Sequence, residues 1–460
     1  MSAPPDGATG GRPARRADAA PSPARAVAAR VLERVETDAA FADLALDGEL
    51  ARRALVPRDV ALATELVYGT LRWQRYLDWI LGPHSRRRLP ALDPRVRVLL
   101  RLTAYQIAFL HRVPAFAAVN DAVTLARGAP GVAEYVNAVL RAFTRRGAAE
   151  REPAPPRDPL EALATRCSFP TWLATRWIAR YGQAEAEALM RALNERPPLT
   201  VRANTLRLSP ETLAGQLRAD EDVQTRATAL APEGVIVEGG GDPGRWRAFS
   251  DGACVVQDEA SMLVARLLEP EAGATIADVC AAPGTKTTHL AQLMEDRGRV
   301  LAFDPQPARL SRVREAAARL GVGIVETTEG AVQTLAPRWA GTCDGVLVDA
   351  PCSNLGVLRR NPEVKWRRQP ADIAAAAERQ RSILAAAAGL VRPGGRLVYA
   401  TCSLEPEENE EVVREFLAAQ PAFVVDAPTG PVAPDAAGFV RCVPHRHGTD
   451  GFTAIRFRRR

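Results

Sequence analysis

The chain has 460 residues, of which 47% are hydrophobic and 25% charged, and its formal net charge is +6. That composition excludes wholesale disorder and leaves room for about three domains at about 150 residues each. The mild positive charge only hints at a polyanionic partner. Arginine supplies nearly all the cations; the two lysines are Lys286 and Lys365.

Residues 1–24 are Pro, Gly, Ala and Arg in no periodic order and read as a disordered basic arm. From 25 to 148 the pattern is helical. Val27, Val31 and Val35 share one helix face, and Leu62, Leu66 and Val67 continue the style within 59–81. Further helices are predicted around Val96 to Leu110, Ala118 to Arg127 and Tyr135 to Phe143, so this part reads as a small all-helical bundle. A linker follows at 147–158. Residues 159–250 are mixed, with a helix over 172–193 and strands over 199–206 and 234–238. From 251 to 460 apolar strands alternate with helices. Strands are predicted at 275–279, 299–303, 324–326, 345–348, 396–400 and 453–457. Near-continuous apolar strands separated by helices predict a doubly wound parallel α/β sheet.

Seven cysteines, an odd number with no zinc-ligand spacing, predict free thiols and no metal. No apolar run reaches the ~18 residues a membrane span needs, and the first residues lack the apolar core of a signal peptide. A cytoplasmic protein with no membrane partner is expected.

In such a sheet, ligands sit at the carboxyl ends of the strands. Three strand ends here are unusual. The first is Asp278-Val-Cys-Ala-Ala-Pro-Gly-Thr-Lys-Thr288, whose small residues let a ligand approach the backbone just before a helix N-terminus. It is neither a Walker loop nor G-x-G-x-x-G. The second is Asp304, 20 residues after Gly284, the offset of an acid that bonds a ribose hydroxyl; Glu329 is a weaker candidate at the next strand end. The third is a pair: Asp349-Ala-Pro-Cys352-Ser and Thr-Cys402-Ser, with 50 residues between the cysteines. Neighbouring strand ends would aim both thiols into one crevice. A thiolate adding to C6 of a pyrimidine makes C5 nucleophilic, which is a reason for covalent thiol chemistry. Asp349 could bond the N3–N4 edge of cytosine.

The segments DVCAAPGTKT, FDPQPARL, VDAPCSNLGVLRRNPEVKW, ATCSLEPEENE and DGFTAIRF resemble the S-adenosylmethionine-dependent RNA 5-methylcytosine methyltransferases of the Sun/Fmu and NOL/NSUN types. The helical part, with ELVYGTLRW, LRLTAYQIAFL and AVNDAVTLAR, resembles NusB-type RNA-binding domains. The resemblance implies a Rossmann-like class I methyltransferase domain over 251–460, with S-adenosylmethionine as cofactor and small-subunit ribosomal RNA as partner. It implies Cys402 as nucleophile, Cys352 as the thiol assisting product release, and Asp349 beside cofactor and target base. Cys280, Ala281, Ala282, Pro283, Gly284, Thr285 and Lys286 match the cofactor loop. Asp304 matches the ribose acid. Glu329 stands where relatives usually carry Asp, and Thr285 where they usually carry Gly.

Spacing alone does not say which cysteine attacks. The Pro-Cys thiol of DNA cytosine methyltransferases points to Cys352, whereas the Thr-Cys-Ser motif points to Cys402. Arg359, Arg360 and Lys365, beside Trp366, read as RNA contacts, since cations beside an aromatic suit phosphate contact and base stacking. The five histidines form no catalytic set. Two other functions stay open: a transfer RNA methyltransferase, and an RNA-binding or antitermination factor. A monomer is expected.

Overall fold

The structure, a computed structural model, describes residues 20–145, 147 and 152–460. Most of the expected basic arm lies outside the described residues; its last two positions, Pro23 and Ala24, already belong to the first helix. The chain forms two compact units, residues 1–155 and 156–460. Among the described residues no helix is long and apolar enough to cross a membrane.

The first unit is helical. Helix Pro23–Thr37 buries Val27, Val31 and Val35, the face its four-residue spacing predicts. Proline starts several helices, where its missing N–H costs nothing. In Pro94–Phe109 it is joined by Asp93, whose side chain accepts the Arg95 amide at 2.9 Å. The stretch 59–81 is two helices, Pro57–Arg72 and Gln74–Leu81, broken at Trp73, whose ring stacks on Phe109 at 4.9 Å.

The second unit holds two sheets. Strands β1 (Leu199–Ala203), β2 (Gln224–Ala227), β3 (Gly234–Glu238) and β4 (Cys254–Val256) form an antiparallel sheet in the order β2-β3-β1-β4. The expected boundary at 250/251 thus falls before the last strand of this sheet. The predicted helix over 172–193 is two helices, Thr171–Tyr181 and Gln183–Leu193. Gly182 separates them at φ +78°, a backbone state that favours glycine. Leu173, Trp177 and Leu189 share a core with Leu355, Leu358 and Leu404, so these helices back the loops that carry the two cysteine motifs.

The larger sheet contains β5 (Thr275–Asp278), β6 (Arg299–Asp304), β7 (Val325–Glu329), β8 (Cys343–Asp349), β9 (Val391–Thr401), β10 (Phe423–Val425), β11 (Val440–Cys442) and β12 (Phe452–Arg459). The order is β10-β12-β9-β8-β5-β6-β7, with β11 paired to β12. β5 to β9 run parallel, and β12 lies antiparallel to β9. Successive residues Ile276 and Ala277 enter different cores, one on each face. Both faces are therefore covered, as the continuous apolar strands predict. The carboxyl ends of β5, β6, β8 and β9 deliver Asp278, Asp304, Asp349 and Thr401 to one edge.

Candidate active site

Four of the seven cysteines, Cys167, Cys254, Cys343 and Cys442, are buried. Cys280, Cys352 and Cys402 are partly exposed, and these three are the ones in the strand-end motifs. Inert cysteines behave as small hydrophobes, whereas reactive ones need access.

Cys352 and Cys402 meet: their Sγ atoms are 2.9 Å apart. Asn354 accepts from both, at 2.9 Å from Cys402 and 3.5 Å from Cys352. Asn354 has φ +63°, a left-handed state asparagine tolerates better than most residues. The loop that carries it is stitched down. The Gly356 amide donates to the Cys402 carbonyl at 2.9 Å, and a Cβ on Gly356 would lie 2.3 Å from the Gly451 carbonyl oxygen. Cys352 is raised well above the usual thiol range, first by its bond to Cys402 and then by burial. It is held as a thiol.

Lys286 Nζ lies 2.7 Å from Asp349 Oδ2 and 5.0 Å from the Phe452 ring centroid. Burial works to lower the ammonium, but the Asp349 carboxylate outweighs it and the net shift is upward. Lys286 therefore stays charged beside the Cys402 thiol.

Helix Thr285–Leu293 starts at Gly284, which has φ +102°; a Cβ there would sit 3.0 Å from Val313 Cα. The peptide Ala282–Pro283 is cis. Ala281 and Ala282 are buried, Pro283 is exposed, and Cys280 is half-buried. Burial pushes the Cys280 thiol up, and Asp278, Asp349 and Asp304 push it further, so three carboxylates face this loop. Asp278 accepts from Thr287 at 2.8 Å, while its Oδ1 is buried with no hydrogen-bond partner among the described residues; burial pushes its carboxyl up to about 6. Asp304 is 1% exposed, accepts the Gln306 amide at 3.0 Å, and has Arg309 3.4 Å away. Glu329 is exposed and pairs in register with Asp304 across β6 and β7, so the two acids end adjacent strands.

The expected RNA contacts are corrected by the structure. Arg359 is 4% exposed and pairs with Asp450, with Asp258 at 3.5 Å; Arg360 pairs with the same two acids. Lys365 is 1% exposed, donates to Asn194 Oδ1 at 2.8 Å, and lies 4.1 Å above the Phe169 ring. These cations face inward because buried carboxylates and a ring meet them there. They clasp the loop after β8 to the rest of the unit.

Residue-level reading of the sequence also missed Arg202. It is fully buried on β1 and donates to the Thr285 carbonyl at 2.7 Å and Thr288 Oγ1 at 3.0 Å. Burial brings its guanidinium down to about 9. The small sheet thus pins the start of the helix that follows β5. No local pattern could show this, since the partners are 83 and 86 residues away.

A parallel sheet with one reversed strand, a small-residue loop after β5, an acid after β6 and functional side chains after β8 and β9 together define a Rossmann-like class I methyltransferase. Residues 265–458 match the family described as 16S rRNA methyltransferase RsmB/F. Residues 22–145 match the NusB family, and 169–242 the ferredoxin-like domain of RsmF/B-like methyltransferases. A Bacillus subtilis protein named "Probable ribosomal RNA small subunit methyltransferase B" is 37% identical over 95% of this chain and 98% of its own length. The Sodalis glossinidius ribosomal RNA small subunit methyltransferase B is 35% identical over 86% of this chain and 89% of its own. The solved structure of PH0851 matches with a TM-score of 0.80 at 30% identity, over 94% of this chain and 98% of that one. The chain belongs to the 16S rRNA methyltransferase RsmB/F family.

Proposed function

We propose that the chain transfers a methyl group from S-adenosylmethionine to C5 of a cytidine in 16S ribosomal RNA, with Cys402 adding covalently to C6. The observation that carries this reading is the contact of two partly exposed thiols, 2.9 Å apart, just past the ends of β8 and β9, beside the ion pair of Asp349 at the end of β8 with Lys286 on the helix after β5.

The residues present fit the cofactor. Asp278 Oδ1, buried without a hydrogen-bond partner among the described residues, and the buried Asp304 carboxylate at the next strand end are acceptors, which suits hydroxyl and ammonium groups. Cys280 to Lys286, Asp304, Glu329 and Asp349 would hold it. When bound, it supplies an electrophilic methyl group.

The chain's own residues do the rest. The Cys402 thiolate forms the Sγ–C6 bond, and the displaced π electrons make C5 nucleophilic. Lys286 stabilises the thiolate. Asp349 bonds the N3–N4 edge of the ring. After methylation the C5 proton must leave; its departure restores the C5–C6 double bond and expels Cys402. While Cys402 is free, its bond to Cys352 holds Cys352 as a thiol; once Cys402 is bonded to C6 that bond is gone, Cys352 gives its proton to solvent, and the resulting thiolate takes the C5 proton. The target cytidine must leave its stack to reach both sulfurs. The helical unit is the proposed source of RNA selectivity, and the protein is proposed to act as a monomer.

The test is a denaturing gel of Cys352→Ala and Cys402→Ala, each incubated with S-adenosylmethionine and unmodified 16S RNA. Cys352→Ala should accumulate a covalent RNA adduct and Cys402→Ala should not. The reverse pattern swaps the roles. If neither accumulates while nucleoside mass spectrometry finds 5-methylcytosine in transfer RNA instead, the substrate assignment fails.

A further inference from the structure

The two cysteines leave from different strands, β8 and β9, and strand pairing does not set the height of residues beyond the strand ends. One side chain meets both loops. Glu408, fully buried, lies on the short turn Pro406–Glu408. Its Oε1 accepts the Ser353 amide at 2.7 Å and Gln380 Nε2 at 3.0 Å. Its Oε2 accepts the Ser353 hydroxyl at 2.5 Å and also the Ser403 hydroxyl. The two hydroxyls are themselves 3.2 Å apart. Each serine directly follows one of the two cysteines.

We propose that Glu408 is a positioning residue: its carboxylate gathers Ser353 and Ser403 and so holds the Cys352 and Cys402 sulfurs in contact. This rests on the reading of the crevice as a two-thiol site. Hydrogen bonds to an ionised acceptor are short and about twice as strong as neutral ones, so the three that come from Ser353 and Ser403 tie both loops to one carboxylate, and Gln380 on a neighbouring helix supplies a fourth. A buried carboxylate is costly, and an apolar side chain of similar volume would often serve the core as well. What an apolar residue cannot do is bind two cysteine-bearing loops at once. The Glu408 charge also adds to the effects that keep Cys352 protonated, after its bond to Cys402 and burial.

The test uses the full chain, Glu408→Gln, and a Ser353→Ala/Ser403→Ala double variant that deletes two hydroxyls without touching the carboxylate. Phenylarsine oxide reports sulfur placement, because arsenic forms bonds to two nearby thiols with loss of one water. Bridging is read by intact mass, cofactor binding by calorimetry, and methyl transfer by single-turnover kinetics across pH. The serine variant should bind S-adenosylmethionine as the unaltered chain does, bridge the arsenical at least about tenfold less well, and react about a hundredfold more slowly. Glu408→Gln, which keeps the shape but not the charge, should shift the pH profile of the rate downward. If the serine variant folds and bridges as well as the unaltered chain, the proposal is overturned, whatever the rate. Should Glu408→Gln not fold, the serine variant decides alone. Should the unaltered chain methylate no RNA while bridging is still lost in the variant, the functional reading fails and the positioning role stands.

Discussion

The loop after β8 has two halves with opposite fates. Cys352 and Asn354 open onto the crevice, partly exposed. A few residues on, Arg359, Arg360 and Lys365 turn inward onto Asp258, Asp450, Asn194 and the Phe169 ring. The half with the charges is tied into the fold, and the half with the small neutral residues lines the crevice. A cation in a motif is therefore no guide to the surface until its partners are known. Here those partners lie 91, 102 and 171 residues away.

This comparison can be broken from either side. The largest effect is expected in the open half: Cys402→Ala should cut methyl transfer by about three orders of magnitude or more while leaving the melting temperature nearly unchanged. A large drop in stability instead would make the thiol structural. In the inward half, Arg359→Met strands buried carboxylates and should cost about 3–5 kcal/mol by urea denaturation. The salt dependence of RNA binding should not change. A slope lower by about one would return Arg359 to the phosphate-binding role expected from the sequence.

His289 sharpens the same point about inward groups. It is buried 2.7 Å from Glu233, and burial, then the Arg202 charge, brings its imidazole down to about 4 despite that acid. An unfolded histidine takes up its proton near pH 6.5, while the native one waits until about 4. Stability conferred by the neutral ring is thus full above pH 6.5 and is lost as pH falls towards 4. His289→Gln should flatten that acid limb by about 3 kcal/mol, read as melting temperature against pH. An unchanged limb would mean that the loss comes from other groups. The smallest effect is expected at Gly284→Ala, about 1 kcal/mol of strain from φ +102° and the Val313 contact, together with weaker cofactor binding by calorimetry.

Much of the α/β unit was legible. The strand predicted at 234–238 coincides with β3, and the one at 275–279 ends one residue past β5. β2 went unseen because Gln224–Ala227 is polar, and mostly exposed, so no alternation marks it. β4, β10 and β11 have three residues each, too short to carry a pattern. At the site, Cys352, Cys402, Asp349 and Lys286 stood out because they crowd into short segments at strand ends. Glu408 lies inside a segment that also stood out, yet an acid among three others in EPEENE has no mark of its own.

The sequence by itself determined the alternation of strands and helices, the doubly wound sheet and the short motifs that end its strands. Those depend on periodicity and on residues close together in the chain. Tertiary structure alone decided which charges face inward, that Arg202 pins the helix after β5, and that one carboxylate joins both cysteine loops. Each of these is a pairing between segments far apart in the chain. A buried polar group takes its meaning from the partner that satisfies it, and only the folded packing supplies that partner.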